Sequence, residues 1–505
     1  MSEKHLLGAI LLSFSLRFFS VLVVDLSPQE AYYWNYAVHP ALSYFDHPPM
    51  VAWVIRAGQF FLDKNELGVR IGGFFLSLFS TWLLYALGKS WFSGKAGLWA
   101  ALLFQLLPLY FVYGLLITPD APLTFFWLLT LYFISIAVRY DRAWAWCAAG
   151  AALGLCMLSK YTAVFLVPST LLFLIFDGRY RQWLMRKEPY LALLIAAAFF
   201  TPVILWNVEH DWASFGFQVG DRLSRDSRSP FASVGEFLLL QFAVTSPALL
   251  AGLLMIPAAP LTLSLHPRRS NWRFAWLFSL PLLGFLLLFS AHSRIKANWT
   301  LPAYLALLTA AYPSYRYLRF HSGPRMKFVA KYFLVAWLCS LPVLYSIAVY
   351  HFTITIPGFP VFRFTTGWQE LSAIVEREAR ALELEGGKKV FLLGLDTHYV
   401  AAALSFYTAD EHEVFSRNLV GEPALAFEYW KPKIDLAGFN ALAVDVNPPR
   451  VESLEKYFAR VDNDVQRIPV MKGKRILYYF YLVKCFGYVG QGAVIRRDDW
   501  RRSRF

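Results

Sequence analysis

Charged side chains are scarce in this chain of 505 residues, since Asp, Glu, Lys and Arg together make up 16% of it. Soluble proteins carry about 25% charged residues, so the deficit excludes an ordinary soluble protein along most of the chain. Hydrophobic residues reach 57% and fall in long runs. Since a spanning helix needs about 20 largely apolar residues, the runs predict an α-helical polytopic membrane protein with about eleven spans. The runs lie at residues 6–24, 69–87, 96–117, 123–138, 143–176, 191–206, 237–258, 274–291, 301–312 and 328–350.

Cysteine is also scarce, with four residues in the chain. Cys147, Cys156 and Cys339 lie in or beside apolar runs, and Cys485 lies alone in the C-terminal part. A lone thiol cannot form an internal bridge, so no disulfide framework is predicted. A P-loop, a glycine-rich phosphate fingerprint, a Cys/His set with metal spacing and a Ser-His-Asp order are all missing from the sequence. The site classes that those motifs mark are therefore not predicted.

Lys and Arg in the short loops predict the orientation, because cytoplasmic loops are enriched in these residues. The basic loops lie near residues 89–95, 139–142, 179–187, 268–273 and 316–331. We place these loops and the N terminus in the cytoplasm. The periplasmic side then receives residues 25–66, 118–122, about 207–233, 292–300 and the C-terminal part. The net charge of +14 is explained by these loops and by contact with anionic lipids, and no nucleic-acid partner is required.

Residues 351–505 differ in composition from the transmembrane domain of residues 1–350 and predict a soluble, periplasmic α/β domain. Helical and strand patterns alternate there over about 150 residues, which is typical of a small α/β fold. The predicted elements are an amphipathic helix at 368–385, a buried strand at 388–395, a helix at 398–407 and strands at 440–446 and 475–485.

The first polar loop, residues 25–66, carries carboxylates and an Asp-His-Pro-Pro unit directly after the first apolar run. Its candidate reactive residues are Glu30, Asp46 and His47. The spacing of its aromatic residues suits a helix along a membrane interface, where such rings collect. These residues are Tyr32, Tyr33, Trp34 and Tyr36. A membrane-surface anchor is therefore the alternative to a catalytic loop, but an anchor does not explain the carboxylates.

Three further polar clusters lie on the same predicted side. Asp120 stands between two prolines, where capping of the next helix is the alternative to a functional role. Lys160 stands between two apolar halves, and a membrane lysine is a functional-site hypothesis by default, with snorkelling to the interface as the alternative. Arg294, Lys296 and Asn298 suit a phosphate-bearing substrate, with lipid headgroups as the alternative ligands. Further candidate anion contacts on this side are Arg222, Arg225 and Arg228.

Five motifs, in chain order, resemble those of the polyprenyl-phosphate-sugar-dependent glycosyltransferases of the GT-C fold, within the PMT-like superfamily. The motifs are PQEAYYWNYA, YFDHPPMVAWVIR, TPDAPLTFFW, GLCMLSKYTA and KANWTLPAY. The likeness is narrower to the bacterial branch that includes lipid A aminoarabinose transferases and lipopolysaccharide-core galacturonosyltransferases. It extends over the apolar runs, and the C-terminal part is similar in layout alone.

The resemblance implies an enzyme of the bacterial inner membrane with a periplasmic active site, formed in part by interfacial helices of the first loop. It implies a polyprenyl (undecaprenyl) phosphate sugar as donor and an inverting single displacement. Family members usually carry Asp-Glu where this chain has Gln29-Glu30. Glu30 or Asp46 must therefore take the role of the base.

The resemblance also assigns roles to the remaining candidates. Asp46 and His47 match an acidic-basic-Pro-Pro unit, in which the acidic residue is a candidate metal ligand and the basic one a phosphate contact. Lys160, followed by Tyr161, matches the lysine after the fifth span and is a phosphate contact too. A divalent metal ion is the one cofactor left open, with Asp46, Glu30 and His47 as its candidate ligands.

The predicted function is transfer of one sugar from the polyprenyl phosphate to a periplasmic-face acceptor, such as lipid A or lipopolysaccharide core. One alternative is a transporter or flippase of lipid-linked sugars. Such proteins tend to have paired repeats with polar sites at the bilayer midplane, whereas no repeat of fixed period is visible here. The other alternative is a noncatalytic scaffold that recruits envelope partners, and a scaffold tolerates substitution of Glu30 and Asp46.

Overall fold

The computed structural model describes residues 2–23, 25–221, 229–245, 269–321, 367–409, 411–432, 434–472 and 475–490. The chain forms two compact units, which we call the helical unit, Met1–Val23 with His47–Val349, and the sheet unit, Val24–Asp46 with Tyr350–Phe505. The first loop is thus divided between them at Asp46 and His47. The predicted span at 328–350, most of the one at 237–258, and Arg222, Arg225 and Arg228 lie outside the described residues.

Helices make up the described part of the helical unit. They are α1 (Glu3–Val23), α3 (Met50–Leu62), α4 (Glu66–Trp91), α5 (Gly94–Leu106), α6 (Pro108–Leu115), α7 (Asp120–Tyr140), α8 (Ala143–Met157), α9 (Leu166–Phe176), α10 (Glu188–Glu209), α11 (Ala213–Gly216), α12 (Pro230–Thr245), α13 (Arg269–Leu277), α14 (Leu280–Ser290) and α15 (Leu305–His321). Short 3-10 helices lie at Tyr161–Phe165, Arg181–Met185 and Ala297–Tyr304, and a π-helix at Phe217–Asp221. Side-chain caps start two of the helices: Asn65 accepts from the Gly68 amide before α4, and Ser93 from the Ala96 amide before α5.

Five described segments are long and apolar enough to cross a membrane. They are Glu3–Leu22, Glu66–Trp91, Asp120–Tyr140, Glu188–Glu209 and Ser270–Ser290. A sixth consists of α5 and α6, which are bent by 70° where Pro108 begins the second helix. The predicted number of about eleven spans is therefore not confirmed, and part of the difference falls on residues outside the described ranges.

The long apolar run at 143–176 is not one helix. It breaks after Met157, passes through a turn and the 3-10 helix Tyr161–Phe165, and continues as α9. At the break, the Met50 amide at the start of α3 donates to the Leu158 carbonyl at 3.0 Å. A polar residue is thus placed between two apolar helices by a local interruption of the backbone, and that residue is Lys160.

Helices α8 and α10 approach each other closely because α8 carries glycine at two positions one turn apart. A Cβ added to Gly150 would lie 2.4 Å from the Ala192 carbonyl oxygen, and one added to Gly154 would lie 2.4 Å from the Phe199 Cβ. Small residues in such a G-x-x-x-G arrangement allow helix backbones to touch in a membrane. This contact fixes the helix that leads into Lys160.

The sheet unit contains α2 (Pro28–Val38) from the first loop and an α/β fold from the C-terminal part. Its other elements are α16 (Trp368–Gly386), β1 (Val390–Gly394), α17 (Tyr399–Tyr407), β2 (Val414–Ser416), β3 (Asn440–Asp445), α18 (Val451–Leu454), β4 (Phe458–Val461), β5 (Gln466–Lys472) and β6 (Arg475–Tyr488). The helices predicted at 368–385 and 398–407 and the strands predicted at 388–395, 440–446 and 475–485 are confirmed. The strands β2, β4 and β5 were not predicted.

The six strands form one mixed sheet in the order β2-β1-β3-β6-β4, with β5 also paired to β6. Strand β1 is parallel to β2 and β3, with Leu392 opposite Val414 and Leu442, and β6 is antiparallel to its neighbours. Successive residues of β1 point to opposite faces. Leu392 joins Trp368 in one buried cluster, and Phe391 joins Phe458 in the other.

Gly150→Ala is expected to destabilise the protein, because the new methyl group overlaps the backbone of α10. Overpacking of this kind costs about 1–3 kcal/mol, so the thermal unfolding temperature of the protein in detergent should fall. Gly284→Ala in α14 is the matched control, since an added Cβ meets nothing within 4 Å there. Equal unfolding temperatures for the two variants would contradict the close α8–α10 contact.

Candidate active site

A buried polar cluster in the helical unit joins three segments that are distant in sequence. Lys160 Nζ lies 2.7 Å from Asp120 Oδ1, and the Asn298 side-chain amide donates to Asp120 Oδ2 at 2.8 Å. The side chains of Lys160 and Asp120 are 6% and 2% exposed. An ammonium in an apolar environment needs a counter-charge, and Asp120 supplies it.

The segments that carry this cluster explain its geometry. Asp120 is the first residue of α7, Lys160 follows the end of α8, and Asn298 lies in the 3-10 helix Ala297–Tyr304. The N-cap of α7 is Pro119, and both oxygens of the Asp120 carboxylate accept from other side chains, those of Lys160 and Asn298, so the capping alternative is wrong. The side chain of Lys160 is paired and buried, so the snorkelling alternative is wrong as well.

The first turn of α7 also lines a narrow cleft. Its walls come from α4, α5, α6, α7 and the 3-10 helix that carries Asn298, and its lining is mostly small and aromatic. The lining residues include Gly73, Ser77, Tyr113, Ala121, Thr124 and Leu301.

A second polar cluster lies within the sheet unit and contains Asp46, which is 4% exposed. The hydroxyl of Tyr32 donates to Asp46 Oδ1 at 2.7 Å, and the hydroxyl of Tyr36 donates to the same oxygen. Tyr32 and Tyr36 lie one turn apart on α2 and are both fully buried. Two phenol donors therefore hold one carboxylate oxygen.

The C-terminal part of the sheet unit encloses these tyrosines. The Ala426 amide donates to the Tyr32 hydroxyl at 3.1 Å, and the ring of His398 lies 4.5 Å from the Tyr32 ring. Trp34 contacts Phe406 edge to face at 5.1 Å. The rings predicted to line a membrane interface are thus buried inside the unit, and the anchor interpretation of Tyr32, Tyr33, Trp34 and Tyr36 is wrong.

Glu30 begins α2 in a capping box. Its Oε2 accepts from the Ser27 amide at 3.0 Å and from the Ser27 hydroxyl at 2.9 Å, while Ser27 accepts from the Glu30 amide. The residue is fully buried. This reciprocal pattern starts the helix and thereby places Tyr32 and Tyr36, so it gives Glu30 a structural task.

The remaining predicted residues lie in the helical unit. His47 is buried, and Lys296 is exposed at the start of the 3-10 helix that carries Asn298. The Tyr161 hydroxyl hydrogen-bonds Ser214 at 2.6 Å. Arg294 forms an ion pair with Glu236 at 2.7 Å, with 69% of its side chain exposed. The structure thus brings together Asp120, Lys160 and Asn298, and gives Arg294 and Tyr161 other partners.

Among the described residues, no three His, Cys, Asp or Glu side chains lie close enough together to hold a metal ion. The candidate ligands Asp46, Glu30 and His47 stay a prediction.

Burial shifts the pKa of several groups in the sheet unit. It raises the pKa of both Tyr32 and Tyr36 well above the ordinary value, and the negative charge of Asp46 adds to the effect. The two phenols therefore stay protonated and remain donors. Burial also raises the pKa of the Glu428 carboxyl to about 7, against the hydrogen bond from the Ala424 amide and the charge of Arg417.

Comparison with known proteins supports one family. Residues 46–206 match the family described as dolichyl-phosphate-mannose-protein mannosyltransferase. A lipid A galacturonosyltransferase, RgtD from Rhizobium johnstonii, is 24% identical over 423 residues, which cover 80% of this chain and 82% of that protein. An undecaprenyl phosphate-alpha-4-amino-4-deoxy-L-arabinose arabinosyl transferase from Pseudomonas savastanoi is 32% identical over 32% of this chain and 31% of its own length.

Two solved structures share the fold along almost the whole chain. Both are of ArnT from Cupriavidus metallidurans, in the apo state at a TM-score of 0.61 and 17% identity, and bound to undecaprenyl phosphate at 0.60 and 16%. The first covers 95% of this chain and 98% of its own, and the second 96% and 98%. The resemblance to the GT-C glycosyltransferases is confirmed. The relatives named here are glycosyltransferases, and the described part of this chain contains five segments long and apolar enough to cross a membrane.

Several residues of the two clusters were not singled out from the sequence. The hydroxyls of Tyr32 and Tyr36 donate hydrogen bonds to Asp46, although the sequence suggested that their rings lie at a membrane interface. Their separation by one turn was the available signal, because side chains four residues apart share a helix face. Ser27 had a signal as well, because Ser27-Pro28-Gln29-Glu30 fits the S-x-x-E pattern of a capping box. The Ala426 amide had none, since a backbone donor takes its role from the folded chain.

The Asp120–Lys160 pair is expected to behave as one energetic unit. Lys160→Met or Asp120→Asn alone leaves a buried charge without its partner, which costs about 3–5 kcal/mol. The double variant leaves neither charge, so its loss should be smaller than the sum of the single losses. Thermal unfolding in detergent measures all three variants.

The matched control is Asp141→Asn. Asp141 also forms an ion pair, with Arg186 at 2.6 Å, but its side chain is 69% exposed, and its positive φ of 50° is one that Asn tolerates. Exposed pairs contribute about 0–1 kcal/mol, so little change is expected. Single losses that simply add in the double variant would contradict the coupling.

Glu428 should make the sheet unit less stable as the pH rises. Its pKa of about 7 in the folded protein exceeds the unfolded value of about 4.3, so the folded state binds the proton more tightly. The stabilisation is complete below the unfolded pKa and is lost as the pH rises to about 7 and beyond. Glu428→Gln should therefore reduce the fall in unfolding temperature between pH 5 and pH 8.

Labelling of Cys485 during heating reports unfolding of the sheet unit, because this thiol is fully buried in the folded protein. A single-cysteine variant that retains Cys485 gives the midpoint at each pH. Asp396, whose pKa burial raises to about 6, contributes in the same direction and stays in the Gln variant. A midpoint shift with pH that is identical in both proteins would refute the role of Glu428.

Proposed function

We propose that this chain is an integral-membrane glycosyltransferase that moves one sugar from a polyprenyl phosphate to a lipid or glycan acceptor, such as lipid A or lipopolysaccharide core. The observation that carries the proposal is the ammonium of Lys160, buried at 6% exposure and held by Asp120. A membrane protein retains such a costly charge where it serves a substrate. A phosphate attached to a lipid is the substrate group that an ammonium at this position would recognise.

Lys160 can bind the phosphate without losing its counter-ion. An ammonium has three N–H donors, and among the described residues Asp120 accepts one of them. The Asn298 amide fixes Asp120 from its other side. As the bond between the anomeric carbon and the phosphate oxygen breaks, negative charge grows on the leaving phosphate. A fixed ammonium stabilises that charge more in the transition state than in the ground state.

We assign the role of general base to Asp46 and leave Glu30 as the cap of α2. The acceptor hydroxyl forms a bond to the anomeric carbon, the electron pair of the broken bond passes to the phosphate, and the hydroxyl proton passes to Asp46. A single displacement of this kind inverts the configuration at the anomeric carbon. The oxygen of Asp46 is already oriented by the two phenols.

The relatives support the nature of both substrates. RgtD and the arabinosyl transferase are named for lipid A and for an undecaprenyl phosphate sugar, and one of the solved ArnT structures contains undecaprenyl phosphate. We further propose an inner-membrane location with the active site and residues 351–505 in the periplasm, as the distribution of Lys and Arg predicts.

The test is transfer by the purified protein in detergent with native lipids. Polyprenyl phosphates that carry a uronic acid, aminoarabinose or a neutral hexose are offered with lipopolysaccharide, and mass spectrometry follows the acceptor. The expected result is a mass increment with one donor, lost in Asp46→Asn by at least about a hundredfold, as is usual for removal of a general base. The Asp120→Asn/Lys160→Met double variant should lose transfer as well, although it lacks an uncompensated charge.

Asp141→Asn is the matched control and should transfer at the wild-type rate, since its exposed carboxylate touches neither cluster. Donors that all stay intact, while labelled lipid crosses a liposome bilayer, would replace the transferase by a flippase. If the sugar donors stay intact and no labelled lipid crosses the bilayer either, the noncatalytic scaffold remains as the function. Full activity of Asp46→Asn would refute Asp46 as the base while leaving the transferase in place.

A further inference from the structure

We propose that Tyr32 and Tyr36 are positioning residues for the transfer reaction, and that the C-terminal segment 424–430 fixes them on Asp46. The inference rests on the proposed function, in which Asp46 is the base. It assigns the C-terminal part of the chain a task in catalysis: to hold the carboxylate that receives the proton.

Hydrogen-bond direction supports this assignment. Each phenol has one hydrogen, and both hydroxyls lie within bonding distance of Asp46 Oδ1. If both hydrogens go to the carboxylate, the Tyr32 oxygen must act as acceptor toward any further donor, and the Ala426 amide is such a donor at 3.1 Å. The order is therefore fixed: the amide donates to the phenol, and the phenol donates to the carboxylate.

The phenol of Tyr36 has its own support within the same unit. The Tyr44 ring stacks on the Tyr36 ring with centroids 3.9 Å apart, and the Tyr44 hydroxyl donates to the Tyr36 carbonyl at 2.6 Å. The Trp430 ring meets Tyr36 edge to face at 5.9 Å and stacks on His39 at 4.5 Å. Both phenols are thus held by groups other than Asp46, and they can orient it.

The backbone that presents the Ala426 amide is strained. Leu425 has a φ of +50°, a left-handed conformation that costs an L-residue about 1–2 kcal/mol. It begins the short 3-10 helix Leu425–Glu428, in which Glu428 Oε1 accepts from the Ala424 amide at 2.7 Å. Strained backbone persists where the surroundings hold it, and it is frequent at functional sites. Here the strained residue precedes the amide of Ala426, which donates to the Tyr32 hydroxyl.

Packing alone does not require these hydroxyls. Phenylalanine would fill the same space in α2, but it would leave the buried carboxylate without its two donors. Two donors to one carboxylate oxygen limit the rotation of the carboxylate. Titratable groups near this centre include Tyr33 and His39 from the first loop, His398 against the Tyr32 ring, and Tyr399, whose pKa is raised by burial and by the charges of Asp396 and Asp46. His47 follows Asp46 in the chain.

The test compares Tyr32→Phe, Tyr36→Phe and the double variant in the transfer assay. A hydrogen bond to a charged group is worth about 1.5–3 kcal/mol, so kcat should fall about tenfold in each single variant and about a hundredfold or more in the double one. The KM for the donor should stay within about twofold, since the donor phosphate is assigned to Lys160.

Tyr407→Phe is the matched control. The Tyr407 hydroxyl accepts from the Leu26 amide at 2.7 Å, so it also joins the first loop to the C-terminal part, but it does not touch Asp46. Its kcat should stay at the wild-type value. An equal loss of kcat in Tyr407→Phe would reduce the tyrosines to a structural role. So would a loss of kcat in the Tyr32 and Tyr36 variants that comes with a matching rise of the donor KM and a fall in unfolding temperature.

Asp46→Asn, measured in parallel, separates this inference from the proposed function. An inactive Asp46→Asn protein together with fully active tyrosine variants would overturn the inference alone. An active Asp46→Asn protein would overturn the base assignment and the inference with it, and a wild-type protein without transfer would overturn both proposals.

Discussion

A positive charge within the apolar part of a protein is stable only beside a compensating negative one, and the structure around Lys160 satisfies this condition. Asp120 provides the charge at 2.7 Å, and Asn298 holds Asp120 from the other side. To bring these three side chains together, the apolar run at 143–176 must break, α7 must begin at Asp120, and a 3-10 helix must replace regular helix at Ala297–Tyr304. The Gly150 and Gly154 contact with α10 then fixes the helix that ends before Lys160. Three chain interruptions thus meet at the place where one ammonium is compensated.

The sheet unit contains the opposite charge, the buried carboxylate of Asp46, and stabilises it in a different way. Asp46 is held by neutral phenol donors, which stay protonated because burial and the Asp46 charge raise their pKa values. Within the sheet unit, two neutral donors orient the carboxylate of Asp46, whereas in the helical unit a carboxylate compensates the ammonium of Lys160.

Features encoded by neighbouring residues could be predicted from the sequence, and features that depend on distant partners could not. The strands at 388–395, 440–446 and 475–485 and the helix at 368–385 follow from local periodicity, and the structure contains them. Lys160 was predicted as a site residue because a lysine inside an apolar run needs a reason. The position of Asn298 in the same cluster cannot be read from the residues near it in the sequence. The same holds for the hydrogen bond between Tyr32 and the Ala426 amide, which are 394 positions apart. The aromatic residues of α2 were misread for the same reason, since a ring that packs against a distant segment and a ring that faces a membrane have the same local spacing.

The departure at Gln29-Glu30 from the usual Asp-Glu of the family now has a physical interpretation. A neutral amide at position 29 cannot accept the acceptor proton as a carboxylate does. The neighbouring Glu30 has one oxygen engaged by two donors from Ser27, and releasing it would uncap α2, the helix that carries both phenols. Use of Glu30 as the base would thus disturb the placement of Asp46, whereas use of Asp46 leaves the cap intact. On the proposal that Asp46 is the base, its carboxylate is already oriented by two phenols, one of which the C-terminal part supports through the Ala426 amide.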